Sequence, residues 1–333
     1  MRKGARVNYQ EARHWFDLLF QNRIDEDEAR LVLIDMHNRG ESEEELAAAA
    51  SVMREHSIKV PLEKVLRDRV IDVVGTGGDK SGSFNISSTV ALVLASLDCV
   101  VAKHGNRAIT SNSGSADMLE ALGINLNLDN THQAVMLEEC GFTFMFAINH
   151  HPAMRHIMPI RRSIDHGTIF NILGPLTNPA GATKYLLGVY PQSFLTPIAK
   201  ALSLLKSPSS LVVSSRDGMD ELSISGVSDG VRVLGGNIES LEIDPEALGL
   251  KRYPFEAIKG GDATQNAAIT RAIFEGEEQG GKKEIILLNT AAALWVEGSA
   301  RDLKEGVAMA KMAIESGRAK EKLAQIISVS NSL

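Results

Sequence analysis

From Val70 onward the chain alternates short apolar runs with helix-like stretches, and this alternation limits its fold more than any other feature. VIDVVG (70–75) is β-branched and ends in glycines, a helix-like segment follows over 87–97, and CVVAKHG (99–105) is the next apolar run. Helical patterns across SADMLEALG and NTHQAVMLEECG, then the run FTFMFA (142–147), continue the series. Such strand–helix–strand alternation predicts parallel strands joined by crossover helices. LLGVY and SLVVSS extend the sheet with PQSFLTPIAKALSLLK as the helix between them, while VRVLGG and LEI read as short antiparallel strands. IILLN fits a strand or a buried helix equally well by period.

Residues 1–68 carry no strand pattern. Asp25 is placed to cap a helix with Glu28 three residues on, and Ser42 with Glu45 repeats the arrangement. Leu31, Ile34 and Leu46 recur near the helical period, which predicts a small α-helical unit. The stretch 159–183 interrupts the later alternation with Arg161, Arg162, three prolines and TIFNILGPLTNPAG, and is expected to link back to that unit. The expected organisation is therefore a helical domain of 1–68 plus about 159–183, and an α/β domain of 69–158 plus 184–333. A length of 333 residues suits two such domains.

A formal net charge of −7 argues against any general electrostatic grip on nucleic acid, so a bound polyanion must be held by a local site. Cys99 and Cys140 lie in apolar runs and read as reduced buried thiols. The basic start has no apolar segment behind it and no run is long enough to span a bilayer. A cytoplasmic protein without membrane partners is the expectation.

Four stretches carry chemistry. GTGGD (75–79) directly follows a strand, where glycines let backbone N–H groups approach a phosphate. Its continuation KSGSFNISSTV brings Ser83, Asn85, Ser87 and Ser88 to a helix start, an anion site by geometry and dipole. The alternative is an ordinary turn capped by Ser87. KHGNR (103–107) ends the next strand, where α/β sheets collect ligands. Lys103 and Arg107 would neutralise a diphosphate, Asn106 would bond a neutral or amine group, and SNSGS (111–115) opens another helix, the alternative being a solvated basic loop; Asp117 reads simply as a first-turn acid. Asp220 and Glu221, adjacent in a Gly-bearing loop after SLVVSS, suit metal-bridged positions or a solvated acidic loop. Mg²⁺ is held by one or two carboxylates together with phosphate oxygens. Arg161 or Arg162 would fork onto a substrate carboxylate, with the nearby histidines as pocket lining. A second GGD (260–262) reads as a helix start only. No nucleophile elbow and no reactive cysteine setting occurs, so covalent catalysis has no candidate.

Taken in order, GTGGD-x₃-S-x-N-I-S-S, KHGNR-x₃-S-x-S-G-S-A-D, RR-x₅-T-I-F-N-I-L-G-P-L-T-N-P and G-M-D-E resemble the anthranilate phosphoribosyltransferases from about Tyr9 to the C-terminus. The resemblance implies a small α-helical domain beside a larger α/β domain with a central, mostly parallel sheet, the architecture shared with nucleoside phosphorylases, usually as a homodimer. It implies transfer of the phosphoribosyl group of phosphoribosyl diphosphate to anthranilate, with Mg²⁺, in tryptophan biosynthesis. By position, Gly75, Gly78, Asp79, Ser83, Asn85, Ile86, Ser87, Ser88, Lys103, Ser111 and Ser115 would hold the donor. Ser87, Asp220 and Glu221 would ligate Mg²⁺. Gly75, Asn106 and Arg161 would contact anthranilate, and His104, His151 and Pro175 would line its route. The chain departs from the family in three places. The helix common before EARHWFDLLF is replaced by MRKGARVNY; RRSIDHGT stands for the usual RRELGVRT, putting Gly167 where a basic residue is usual, next to His166; and Ser88 replaces a threonine. Competing expectations are another aromatic amine as acceptor, a pyrimidine nucleoside phosphorylase, whose signature is missing, and a nucleic-acid-binding relative, which the charge disfavours.

Overall fold

The computed structural model describes residues 6–108 and 112–333. The chain opens with helices α1 (Tyr9–Phe20), α2 (Glu26–Arg39), α3 (Glu43–Glu55) and the short α4 (Lys64–Arg67). Each longer helix starts at a side chain that takes up free N–H groups. Asn8 with Glu11, and Ser42 with Glu45, form complete capping boxes. Asp25 accepts from the N–H groups of Asp27 and Glu28, so Glu28 contributes its backbone to the cap. Glu45 is fully buried, where its carboxylate also meets Arg39 at 2.9 Å.

The alternating part follows as β1 (Val70–Gly75), α5 (Ile86–Ser96), β2 (Val100–Gly105), α6 (Ser115–Ala121), α7 (Asn130–Cys140), β3 (Phe142–Phe146), α8 (Ala147–His150), α9 (Met154–Arg162), α10 (Phe170–Leu173), β4 (Lys184–Gly188), α11 (Leu195–Leu204) and β5 (Ser209–Ser215). The hairpin β6 (Ser228–Leu234) and β7 (Asn237–Ile243) comes next, then α12 (Ala263–Glu275), α13 (Gly281–Glu297), α14 (Leu303–Glu315) and α15 (Arg318–Ser330). The ambiguous IILLN run lies inside α13, in a 17-residue helix too long for a typical strand.

The sheet has seven strands in the order β3-β2-β1-β4-β5-β6-β7; the first five are parallel and the last two antiparallel. The order in which strands are added reverses between β1 and β4, which stay parallel, making a topological switch point whose carboxyl end is where ligands gather in open α/β sheets. Alternate side chains feed two cores, one on each face. Ile71, Val73 and Val101 join the core under α5 and the C-terminal helices. Val70, Val100 and Leu187 join the other, which is continuous with α1–α3. The crossing segment packs into this second core: α9 lies against α1 and α2, and α10 against α3. Cys99 and Cys140 are buried free thiols, and burial pushes them up to about 12 and about 11. Among the described residues no helix is long and apolar enough to cross a membrane.

Candidate active site

Strands β1 and β4 end in glycines that face each other in register, Gly75 opposite Gly188. The loop after β5 lies directly on both. A Cβ on Gly75 would stand 2.2 Å from Asp220 Oδ2, and one on Gly188 only 1.4 Å from the Asp220 carbonyl oxygen. The absence of both side chains is what lets the acidic loop reach the strand ends. There the Gly77 N–H donates to Asp220 Oδ2 at 2.7 Å, and the Asp220 N–H approaches Asp79 Oδ2 at 3.5 Å. Asp79, Asp220 and Glu221 each offer a carboxylate oxygen within 4.8 Å of the others. Burial, then the charge of Asp79, raises Asp220 to about 7. Burial and both neighbouring acids hold Glu221 well above the usual carboxylate range, against the pull of Lys103 and the Ser87 N–H. Asp220 and Glu221, both raised, crowd against Asp79 in an arrangement whose like charges a divalent cation would offset.

Lys103 lies beneath them, 1% exposed, its ammonium donating to the Val73 carbonyl at 2.8 Å and to Ser87 Oγ at 3.1 Å. Burial lowers its pKa, while Asp72, Glu221 and Asp220 oppose the shift. Its charge thus acts from below the site and fixes the Ser87 hydroxyl. Above it, Gly77 and Gly78 take left-handed φ values of 69° and 85° with nothing within 4 Å of a Cβ, so that turn faces open space. Asn85, and not Ser87, is the N-cap of α5, and its side chain makes no capping bond. Its amide runs sideways instead, donating to the Ser113 carbonyl at 3.3 Å and accepting from Ser113 Oγ at 3.0 Å. Ser83 Oγ sits 3.1 Å from Ser81 Oγ. The Ile86 side chain is in the core, leaving its backbone as the part nearest a ligand. Ser88 is fully buried, with no partner for its hydroxyl among the described residues.

Ser115 is the first residue of α6, while Ser111 lies outside the described residues. Asp117 does more than complement a helix dipole: it accepts from the N–H groups of Ala108 and Gly114, both at 2.9 Å, and closes the loop after β2. Arg107 is engaged by Asp117 at 3.2 Å and Glu120 at 2.7 Å and lies over Phe146, so these acids already neutralise the charge expected for a diphosphate.

On the acceptor side, Asn106 is exposed just past β2, Pro175 is buried, and His104 and His151 are buried with ring centroids 5.2 Å apart. Burial pushes His104 down to about 4 and His151 to about 3, so both are neutral near pH 7. The Arg161 guanidinium is partly buried 5.8 Å above the Phe170 ring, which meets Phe16 and Phe20 edge-on at 6.5 and 6.1 Å. Arg161 bonds Asn171 Oδ1 at 3.4 Å and Met158 Sδ at 3.7 Å, and no carboxylate among the described residues pairs with it. His166 is turned onto α2, stacked on His37 at 4.1 Å, and does not fill the space beside Gly167.

Several positioning residues escaped the sequence motifs. Gly188 had its signal in the glycine inside LLGVY, where β4 ends. Asn178 donates to Asp72 Oδ2 at 2.7 Å and to the Ala102 carbonyl at 2.8 Å, riveting the crossing segment to β1 and β2. Asn289 of α13 clasps the acidic loop, accepting from the Leu222 N–H at 3.1 Å and donating to the Leu222 carbonyl at 2.9 Å. A polar residue in the otherwise apolar IILLN run was the available hint.

A helical bundle joined to an α/β sheet, with an open glycine turn and an acid cluster at the switch point, is the architecture of a glycosyl transferase with helical-bundle and α/β parts. Residues 1–57 match the family described as "Glycosyl transferase family, helical bundle domain", and residues 67–320 match "Glycosyl transferase family, a/b domain". The anthranilate phosphoribosyltransferase of Xanthobacter autotrophicus is 44% identical over 332 residues, covering 99% of this chain and 94% of its own. That of Rubrobacter xylanophilus is 41% identical over 330 residues, covering 99% and 95%. Among solved structures, the Thermus thermophilus enzyme of the same name superposes with a TM-score of 0.92 at 40% identity, covering 98% of this chain and 97% of its own. The Saccharomyces cerevisiae enzyme in complex with PRPP and Mg gives 0.87 at 26%, covering 98% and 94%. The chain belongs to the anthranilate phosphoribosyltransferase family, and it catalyses that transfer in tryptophan biosynthesis.

Proposed function

We propose that this chain binds phosphoribosyl diphosphate across the carboxyl ends of β1 and β2 and orients anthranilate against it from the crossing segment. The carrying observation is the convergence of Asp79, Asp220 and Glu221 within 4.8 Å beside the open turn at Gly77 and Gly78. Gly75, Gly78, Asp79, Ser83, Asn85–Ser88, Lys103, Ser111 and Ser115 hold the donor. The buried acids fit a divalent cation, and Asp220 and Glu221 with the Ser87 hydroxyl would hold Mg²⁺, with Asp79 completing the acidic set. When bound, the ion supplies charge neutralisation for the departing diphosphate.

The chain's own residues do the orienting. Arg161 takes the acceptor carboxylate, for which its lack of an acidic partner among the described residues leaves it free. Asn106 contacts the acceptor from the end of β2, and neutral His104, His151 and Pro175 line its route without adding charge. An aromatic amine is already a neutral nucleophile, so alignment with the anomeric carbon serves where no covalent partner exists. Gly167 supplies no basic contact and His166 is held on α2, so the carboxylate falls to the partly buried Arg161 and not to Arg162, which is exposed. The helical unit with 159–183 and the α/β unit with the rest of the chain act as the two domains. The active form is a cytoplasmic homodimer.

The test is loss of anthranilate fluorescence with phosphoribosyl diphosphate and Mg²⁺, reversed by a chelator. If Asp220→Asn combined with Glu221→Gln kept the wild-type Mg²⁺ dependence, the metal assignment would be wrong. Sedimentation as a monomer at assay concentrations would remove the dimer.

A further inference from the structure

The second GGD, at 260–262, starts a helix as its sequence suggests: Asp262 caps α12 in a capping box with Gln265. The residues around it also reach the donor loops. The Gly260 N–H donates to the Gly82 carbonyl at 2.9 Å, and a Cβ on Gly260 would lie 2.5 Å from Phe84 Cα and 2.6 Å from Asn266 Oδ1. Asn266, one turn into α12 and 1% exposed, accepts from the Gly261 N–H at 2.8 Å and donates to Asn85 Oδ1 at 2.8 Å.

These bonds fix orientations in sequence. A backbone N–H can only donate, so Gly261 requires the oxygen of Asn266 and turns its NH₂ toward Asn85. That NH₂ in turn requires the oxygen of Asn85, which leaves the Asn85 NH₂ directed at the Ser113 carbonyl. One buried amide therefore settles the direction of another and ties together the loop after β1, the loop after β2 and the start of α12. We infer that Asn266 is a positioning residue for the phosphoribosyl diphosphate site, setting the Asn85 amide and the spacing of the two loops that flank it. This rests on the proposal that Asn85 and its neighbours hold the donor.

Asn266→Asp keeps the shape and the acceptor for Gly261 but replaces the donor to Asn85 with a second acceptor. Thr270→Val is the control. It removes the 2.9 Å bond between Thr270 and Thr89 and the 3.1 Å bond of the Thr270 hydroxyl to the Asn266 carbonyl, loosening the same two helices while leaving the Asn266 side-chain bonds to Gly261 and Asn85 in place. Calorimetric titration with phosphoribosyl diphosphate and Mg²⁺, without anthranilate, should show binding weakened about tenfold or more in Asn266→Asp. Thr270→Val should lose thermal stability and bind as the wild type does, and the anthranilate KM should stay within about twofold in both. Wild-type binding by Asn266→Asp, or equal weakening by Thr270→Val, overturns the inference. Should Asn266→Asp not fold, Asn266→Ser, too short to span Gly261 and Asn85, takes its place. In the wild type, the donor with Mg²⁺ should slow amide exchange at Gly261, and unchanged exchange there also counts against Asn266. A wild-type protein that binds no donor at all removes the underlying site assignment instead, so the two failures are told apart.

Discussion

Gly188→Ala puts the acidic loop to the sharpest test, because Gly188 needs to touch no ligand for the substitution to act. The new Cβ would sit 1.4 Å from the Asp220 carbonyl oxygen, 2.4 Å from its carbon and 3.3 Å from its Cα. A carbon–oxygen contact relaxes only beyond about 3.3 Å, so the end of β4 and the loop must separate by roughly 1.9 Å. Backbone is in the way, so no side-chain rotation relieves the clash. Asn289 holds the loop two residues further on, and the overpacking should cost about 1–3 kcal/mol of stability. A misplacement of about 1 Å at reacting groups lowers rate by roughly a hundredfold, and Asp220 and Glu221 would both move. The assay is anthranilate fluorescence loss titrated with Mg²⁺ at saturating substrates, beside thermal unfolding. The expected outcome is an Mg²⁺ midpoint raised about tenfold or more and a melting temperature lowered by a few degrees. A lowered melting temperature with an unchanged Mg²⁺ midpoint would refute the reasoning, since the loop would then have relaxed without disturbing the carboxylates.

Other predictions follow from the same contacts. Arg161→Ala should raise the anthranilate KM by about 10–100-fold, the worth of a charge-assisted pair, and leave the donor KM unchanged; a shift in the donor KM would contradict it. Asn178→Ala should cost about 3 kcal/mol in urea unfolding by stranding the buried Asp72 carboxylate, and Asn178→Asp should cost more, an order that the opposite ranking would disprove. His104 and His151 have folded pKa values of about 4 and about 3, below the unfolded value near 6.5. Their stabilising effect is complete above pH ~6.5 and is lost as pH falls toward 4 and then 3, on the order of 3 kcal/mol for His104. His151→Asn should therefore flatten the acid limb of stability against pH, and an unaltered limb would argue against buried neutral histidines.

The sequence was most legible where chemistry depends on short-range pattern. The parallel strands announced themselves as short apolar runs, β1 and β2 closed by glycine, and Asp220 and Glu221 as adjacent acids in a turn. Ser42 with Glu45 marked a helix start by spacing alone. What stayed hidden depends on distant pairing. Asn85 and Asn266 are 181 positions apart, and Asn289 meets Leu222 across 67. No local period records such contacts, and an asparagine in a helix reads the same whether it faces solvent or clasps a loop. Arg107 misled for a related reason: its charge was visible, but its claim by Asp117 and Glu120 was set by how α6 folds back. The Ser87 cap failed because Asn85 already ends the turn while using its amide elsewhere.

The edge-on aromatic cluster beneath Arg161 carries a consequence for altering the proposed acceptor contact. The guanidinium rests on Phe170, and Phe170 is seated between Phe16 and Phe20 of α1. A library screened for new amines should therefore yield hits in α1 as well as around the pocket, although neither phenylalanine there is assigned to a substrate. Trimming Phe16 or Phe20 lets the ring beneath the arginine tilt, so choice of substrate becomes heritable through a helix some 140–150 positions upstream of Arg161 in the chain.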